Sequence, residues 1–128
     1  MKNLLIDTNI YTYAFSGNTE VIRILQRTQN ISICAITIGE LLSGFKAGSK
    51  ENINKAELEE FLDSPRVQLI GIDEDTAEFY SEIHTALKKK GKPLPTNDIW
   101  VAATALQYGL KLYTNDQHFK YVPGLVLV

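Results

Sequence analysis

The chain opens with Met1-Lys2-Asn3-Leu4-Leu5-Ile6-Asp7, in which a compact apolar run ends at an acidic residue. Consecutive apolar residues without polar alternation predict a short strand that is covered on both faces. Similar runs recur further along and predict the remaining strands, at Ile31–Ile36, Val67–Ile72, Lys111–Thr114 and Leu125–Val128. The sequence therefore predicts a central, mainly parallel sheet of about five strands.

Segments with apolar residues at helical spacing lie between these runs. They are Thr19–Thr28, Lys55–Leu62, Asp75–Lys90 and Thr96–Tyr108, the last of which is followed by the helix-ending residue Gly109. Alternating strands and helices predict an α/β fold, with helices on both faces of the sheet. We expect one domain over residues 1–128, because no linker or repeat divides the chain. The stretch from Gly44 to Asn54 is either a loop or a helix break.

The overall charge argues against a protein that holds nucleic acid by a bulk positive field. The net charge is −2 at pH 7, whereas such binding depends on many cations facing phosphates. A nuclease remains compatible with this charge, because bound divalent cations reverse the sign of the field at an acidic site.

Two features predict where the protein works. The single cysteine, Cys34, lies in an apolar run and is expected to be a buried, reduced thiol, which favours the cytoplasm. The N-terminal apolar run is too short for a signal peptide, and no stretch approaches the roughly 18 apolar residues of a membrane span. We therefore expect no contact with a membrane.

Four acidic residues are predicted to meet at one edge of this sheet. Asp7 directly follows the first strand, and Asp116 closely follows the fourth. Glu40 and Asp98 are expected in the opening turns of helices that begin at the same edge. Ligands of open parallel sheets bind beyond the carboxyl ends of the strands, so the four side chains point to one site.

A cluster of carboxylates needs a counter-charge, because like charges within a few ångströms repel one another. Carboxylate oxygens suit Mg²⁺ or Mn²⁺. One or two such ions support hydrolysis of phosphodiesters, so the residues alone indicate metal-dependent phosphodiester chemistry.

Each acid also has a purely structural interpretation. Asp7 is a suitable N-cap for a helix beginning at Thr8, and Glu40 completes a capping-box pattern with Thr37. Asp98 suits the positive end of its helix, and Asp116 suits a turn. These readings stay open for each residue taken singly, but the occurrence of all four on one edge favours a site.

The same residues resemble the PIN-domain family and, within it, the VapC-type toxins of toxin–antitoxin pairs. The resemblance covers nearly the whole chain. It rests on four ordered blocks: Leu5-Ile6-Asp7-Thr8-Asn9, Thr37-Ile38-Gly39-Glu40-Leu41, Leu94-Pro95-Thr96-Asn97-Asp98-Ile99 with Ala102-Ala103-Thr104-Ala105, and Tyr113-Thr114-Asn115-Asp116-Gln117-His118-Phe119.

The resemblance implies an endoribonuclease in which Asp7, Glu40 and Asp98 hold the catalytic Mg²⁺ or Mn²⁺. Asp116 resembles the fourth acid of the family, which often acts through water or a second ion. Thr114 and Asn9 occupy positions of polar support behind the acids. The resemblance further implies an RNA substrate, a homodimer, and a cognate antitoxin that can place a basic side chain in the acidic mouth.

Basic residues lie just before Asp98, at Lys88-Lys89-Lys90 and Lys92. One interpretation is a solvated helix end, where lysines suit the negative end of the dipole. The other is contact with RNA phosphates by Lys89, Lys90 and Lys92, each of which would add salt dependence to binding.

Three other functions are compared with the nuclease. A phospho-acceptor receiver domain needs paired acids after the first strand and a lysine after the fifth, and the chain has neither. An aspartate-nucleophile phosphatase needs a second aspartate at the position of Asn9. A non-catalytic PIN-like module that only binds a protein partner is the third alternative, which the presence of all four acids disfavours.

Overall fold

The computed structural model describes residues 2–128, so Met1, the first residue of the predicted domain, lies outside the described residues. Its strands are β1 (Asn3–Ile6), β2 (Asn30–Cys34), β3 (Val67–Ile70) and β4 (Lys111–Tyr113). Its helices are α1 (Thr8–Phe15), α2 (Thr19–Arg27), α3 (Ala35–Ala47), α4 (Glu51–Asp63), α5 (Glu74–Lys90) and α6 (Thr96–Tyr108), followed by a 3₁₀-helix, η1 (Gln117–Tyr121). No helix among residues 2–128 is long and apolar enough to cross a membrane.

The sheet is parallel throughout, in the order β3-β2-β1-β4. The predicted α/β fold with a parallel sheet is confirmed, but the sheet has four strands rather than about five. The predicted fifth run, Leu125–Val128, contributes only an isolated bridge between Leu127 and Leu112. Two backbone hydrogen bonds join this segment to β4, and both involve Leu112. Pairing with a single residue is too little to form a strand of the sheet.

The strand β1 lies inside the sheet and supplies core to both faces. Successive side chains of a strand point to opposite faces. Leu4 and Ile6 pack on the face covered by α1 and α2, while Leu5 packs on the face covered by α5 and α6. All three are fully buried, which explains why this run lacks polar alternation.

The helix α3 begins earlier than the sequence indicates. Ile36 was predicted to lie in a strand, but the strand β2 ends at Cys34 and the helix starts at Ala35. Glu40 is therefore the sixth residue of α3 and lies in its second turn, not its first. The β-branched residues there have low helix propensity, and packing of Leu41 into the core overrides it. The uncertain stretch from Gly44 to Asn54 is a helix break, with α3 ending at Ala47 and α4 starting at Glu51.

The helices α5 and α6 end as the sequence predicts. Gly109 follows α6 with φ of 64°, and Gly91 follows α5 with φ of 66°. This left-handed conformation favours glycine, because it has no Cβ to clash. The helix α5 starts at a capping box formed by Asp73 and Thr76, and Gln107 of α6 donates to the same aspartate at 3.0 Å. The start of α5 is thereby tied to the last turn of α6.

Arg66 joins two elements that are far apart in sequence. Its Nη2 donates to the backbone oxygens of Leu25 and Thr28 at 2.5 and 2.6 Å. These oxygens lie at the end of α2, where the Leu25 oxygen also accepts from the backbone N–H of the C-cap residue Thr28 at 3.1 Å. Arg66 precedes β3, so this contact fixes the end of α2 against the edge of the sheet.

We expect Arg66→Met to lower the free energy of unfolding by about 1–2 kcal/mol, because it leaves two carbonyls without their charged donor. Urea unfolding followed by circular dichroism measures this loss. The matched control is Arg23→Met on the exposed face of α2, which is expected to change stability little. Equal effects of the two substitutions would contradict the role given to Arg66.

Candidate active site

The site lies where β1 and β4 run side by side. The chain order of the strands reverses at this pair, since β2 and β3 extend the sheet on one side of β1 and β4 lies on the other. Such a reversal opens a crevice beyond the carboxyl ends of the two strands. Asp7 follows β1 directly, and Thr114 follows β4.

A polar cavity of about 160 Å³ occupies this crevice. It is lined by Asp7, Thr8, Asn9, Glu40, Asp98, Val101, Asp116 and Phe119. The structure therefore brings together the four acids that the sequence places on one edge. They come from the end of β1, the helices α3 and α6, and the residue that precedes η1.

Asp7 is the most deeply buried of the four acids, with 8% of its surface exposed. One carboxylate oxygen accepts from the backbone N–H of Ile10 at 2.9 Å and caps α1. The other accepts from the hydroxyl of Thr114. The structural interpretation of Asp7 as an N-cap is thus correct, and the same side chain also lines the cavity.

Thr114 connects two of the acids. Its hydroxyl donates to Asp7 and accepts from the backbone N–H of Asp116 at 3.0 Å. The side chain is buried, so these contacts hold the two residues after β1 and β4 in a fixed relation. The polar support expected at this position has a physical basis in these two bonds.

Glu40 reaches the cavity from the second turn of α3. Its two carboxylate oxygens accept from the hydroxyl of Thr8 at 2.6 Å and from the amide of Asn97 at 3.5 Å. The capping-box interpretation is wrong, because Cys34 precedes the helix and Thr37 lies inside it. Without a capping role, Glu40 has its polar contacts within the site.

Asp98 is the third residue of α6. The pKa of Asp98 is raised to about 6, mainly by burial and further by the charges of Asp116, Glu40 and Asp7. The positive end of α6 favours the ionised form by only about 0.3–1 kcal/mol, which does not offset these effects. Burial is also the main cause that raises the pKa of Asp7, where hydrogen bonds from Thr114 and Ile10 oppose it.

Asp116 lies at the rim of the cavity and caps η1. One carboxylate oxygen accepts from the backbone N–H of His118 at 2.9 Å and lies 2.8 Å from the Nδ1 of the same residue. The imidazole of His118 is largely exposed. The turn interpretation of Asp116 is therefore also correct, and His118 stands beside the mouth of the site.

The donor set fits a hard divalent cation, because it consists of carboxylate, hydroxyl and amide oxygens. Among residues 2–128, no three acidic, histidine or cysteine side chains converge closely enough to form a finished cage. The charges of Asp116, Glu40 and Asp7 nevertheless act on Asp98 across the cavity and add to the rise of its pKa, after burial. The residues form one acidic mouth rather than a closed coordination shell.

Sequence reasoning missed two polar residues of the site, Thr8 and Asn97, which hydrogen-bond Glu40. Each is adjacent to a predicted acid, which is the signal that would have found them. His118 contacts Asp116, which lies two residues before it. Asn9 also lines the cavity, but no hydrogen bond of its side chain is described within residues 2–128, and its supporting role stays a prediction.

The lysines before Asp98 diverge. Lys89 lines a groove on α5 with Ser81 and Glu82, away from the acidic cavity. Lys90 and Lys92 instead turn towards Tyr121 at the end of η1. The three residues predicted to contact RNA therefore do not share one surface.

The chain is similar to known proteins both in sequence and in three-dimensional structure. Ribonuclease VapC2 of Rickettsia felis is 30% identical over 128 residues, covering 96% of this chain and 94% of that protein. The crystal structure of VapBC2 from Rickettsia felis bound to a promoter DNA fragment has a TM-score of 0.87 and 28% identity, over 98% of this chain and 97% of that one.

DNA-bound VapBC from Salmonella typhimurium has a TM-score of 0.88 and 27% identity, over 100% of this chain and 98% of that one. The sequence also matches the PIN domain family over residues 4–125, from β1 to the segment beyond η1. Because the match includes every element that contributes an acid to the cavity, the chain belongs to the PIN domain family.

Proposed function

We propose that the protein is a divalent-metal-dependent endoribonuclease and the toxin of a type II toxin–antitoxin pair. The observation that carries this proposal is the convergence of Asp7, Glu40, Asp98 and Asp116 on one cavity at the strand-order reversal. Relatives that align along nearly the whole chain and are named Ribonuclease VapC support it.

The metal is Mg²⁺ or Mn²⁺, as one or two ions, and the same four acids would hold it. When bound, such an ion binds phosphate oxygens, activates water and stabilises the leaving oxygen. The pKa of Asp98 is raised mainly by burial and further by the neighbouring carboxylates, and a bound cation would oppose both effects. A bound cation would therefore stabilise the ionised form of the carboxylates that hold it.

The chain's own residues orient the acids and shape the cavity. The backbone N–H of Ile10 and the hydroxyl of Thr114 fix both oxygens of Asp7. Thr8 fixes one oxygen of Glu40. The RNA ends expected from this hydrolysis are a 5′-phosphate and a 3′-hydroxyl.

The nuclease proposal is favoured over its alternatives by particular residues. All four acids are present and line one cavity, which a non-catalytic binding module does not require. A receiver domain or an aspartate-nucleophile phosphatase is disfavoured by membership of the PIN family and by Asn9 at the position of the second acid.

The partner that we propose is an antitoxin protein that covers the acidic mouth with a basic side chain. Solved relatives described as VapBC complexes support this partner. We also propose a homodimer. The rings of Tyr80 of α5 and Trp100 of α6 pack at a tilt of 31° with their centroids 4.2 Å apart, and both are only half-buried, as suits residues of an interface. Cys34, the single cysteine of the sequence, is a buried thiol outside any disulfide, which fits the cytoplasm as the compartment.

Loss of one site acid is expected to lower RNA cleavage strongly. We expect Asp7→Asn and Asp98→Asn each to reduce the cleavage rate by about a hundred-fold or more, because changes even in the outer shell of metal sites cost 10–100-fold. The measurement is cleavage of labelled RNA with Mg²⁺ or Mn²⁺. Asp63→Asn, an exposed acid at the end of α4, is the control and is expected to retain full activity. Unchanged cleavage by both site variants would refute the proposed site.

Thr114 is expected to act as a positioning residue. We expect Thr114→Val to lower cleavage about ten-fold and Thr114→Ser to restore it, because serine keeps the hydroxyl that bridges Asp7 and Asp116. The dependence of cleavage on Mn²⁺ concentration separates this role from a packing role. A shift to higher Mn²⁺ in the valine variant alone supports positioning, whereas equal behaviour of both variants contradicts it.

The pH dependence of stability is expected to report the charge of Asp98. Its pKa is raised from 3.8 to about 6 in the folded protein, so the folded state binds more protons than the unfolded state between these values. The contribution of Asp98 to the free energy of unfolding is therefore fully present below pH 3.8 and is lost as the pH rises through about 6. We therefore expect Asp98→Asn to raise the melting temperature at pH 7 without divalent cations, and this gain to shrink towards pH 4.

A second measurement makes this expectation specific. Added Mn²⁺ is expected to raise the melting temperature of the unaltered protein more than that of Asp98→Asn. A stability difference that is the same at every pH would show that Asp98 is not the group responsible.

A further inference from the structure

Three lysines gather around Tyr121 at the end of η1. The Nζ of Lys90 donates to the backbone oxygen of Tyr121 at 3.0 Å. The Nζ atoms of Lys92 and Lys120 lie 5.0 and 5.3 Å from the centre of its ring. Lys90 ends α5, Lys92 lies in the loop before α6, and Lys120 belongs to η1, so three segments form this lysine–tyrosine patch.

The lysine–tyrosine patch has no carboxylate of its own. Within residues 2–128, none of its three lysines forms an ion pair, whereas Lys46 pairs with Glu51 at 2.9 Å. The ammonium groups of Lys92 and Lys120 lie within about 10 Å of each other, since both contact one ring. The ring and the backbone oxygen of Tyr121 attract the cations and partly offset their repulsion. The exposed cations remain free to bind an anion.

The lysine–tyrosine patch and the acidic cavity lie at opposite ends of one short helix. Asp116 caps the start of η1 and lines the cavity, while Tyr121 is its last residue. A 3₁₀-helix rises about 2 Å per residue, so the two ends are roughly 10 Å apart. A stacked nucleic acid strand advances about 3.4 Å per nucleotide, which places the patch about three nucleotides from the cavity.

The other lysines of this region do not join the patch. Lys88 lines a cavity with His84 and Pro93, and Lys89 lines the groove on α5. If these lysines served only to solvate the end of α5, Lys88, Lys89 and Lys90 would be equivalent. Lys90 instead contacts Tyr121, and so does Lys120, which is distant from it in sequence.

We propose that the lysine–tyrosine patch binds the phosphate backbone of the RNA strand whose scissile phosphate lies in the acidic cavity. This inference rests on the proposed ribonuclease function. The ammonium groups of the patch are point charges that suit phosphates, so they would position the strand without reading its sequence. It also supplies the attraction for RNA that the acidic mouth and the net charge of −2 do not.

The test compares two variants of equal net charge. The patch variant carries Lys90→Gln, Lys92→Gln and Lys120→Gln. The control carries Lys88→Gln, Lys89→Gln and Lys111→Gln, the last at the start of β4 and hence at the opposite edge of the sheet. Binding of a fluorescent single-stranded oligoribonucleotide of mixed sequence is measured by anisotropy in EDTA, between about 50 and 200 mM salt.

The patch variant is expected to weaken binding and to flatten its salt dependence. Loss of three phosphate contacts reduces the slope of log K against log salt by about 2, at about 0.7 per contact on a single strand. Raising the salt across this range then costs the unaltered protein about twenty-fold more affinity than it costs the patch variant. Lys120→Gln alone is expected to reduce the slope by about 0.7. This single variant replaces the triple variant in the binding test if the triple variant folds poorly.

Equal slopes for the patch and control variants would overturn the inference. So would a patch variant that loses binding to a poly-glutamate peptide but not to RNA, since the patch would then serve an acidic protein. Cleavage of RNA with Mn²⁺ is measured separately on the unaltered protein. If the unaltered protein cleaves RNA but the patch and control variants have equal salt slopes, the ribonuclease proposal stands and the patch proposal fails. If the slope falls only in the patch variant but the unaltered protein does not cleave RNA, the patch proposal stands and the ribonuclease proposal fails.

Discussion

The pairing of β1 with β4 is the interaction on which the rest of the structure depends. Ile6 pairs with Tyr113, and the backbone N–H of Asp7 donates to the oxygen of Tyr113 at 3.4 Å. This register places Asp7 beside Thr114, although the two residues are separated by most of the chain. The crevice between the strands, the hydroxyl that bridges two acids and the start of η1 all follow from it.

The site is a place where the protein accepts a local cost in stability. Burial and like charges raise the pKa of Asp7 and Asp98, so the ionised site opposes folding in the absence of a counter-charge. Hydrogen bonds from Ile10 and Thr114 offset part of this cost. Residues that lower the stability of the fold are typical of functional sites. A bound cation would reduce this loss of stability.

Opposite charges are segregated along η1 over a short distance. Asp116 lies at its start, among the acids, and the lysine–tyrosine patch lies at its end. A polyanion whose reacting phosphate faces a metal in the acidic mouth needs attraction elsewhere along its length. If both proposals hold, the arrangement separates the acids that would hold the metal from the lysines that would bind the strand.

The sequence by itself determined the fold class and the four acids, because buried strand runs and the residues at their carboxyl ends are local patterns. It predicted α6 and its stop at Gly109 for the same reason. Only the tertiary structure decided that α3 replaces the strand at Ile36, that Leu125–Val128 forms one bridge rather than a strand, and that Lys120 joins Lys90 while Lys89 does not. These outcomes depend on contacts between segments far apart in the chain, where packing and register override the preferences of neighbouring residues.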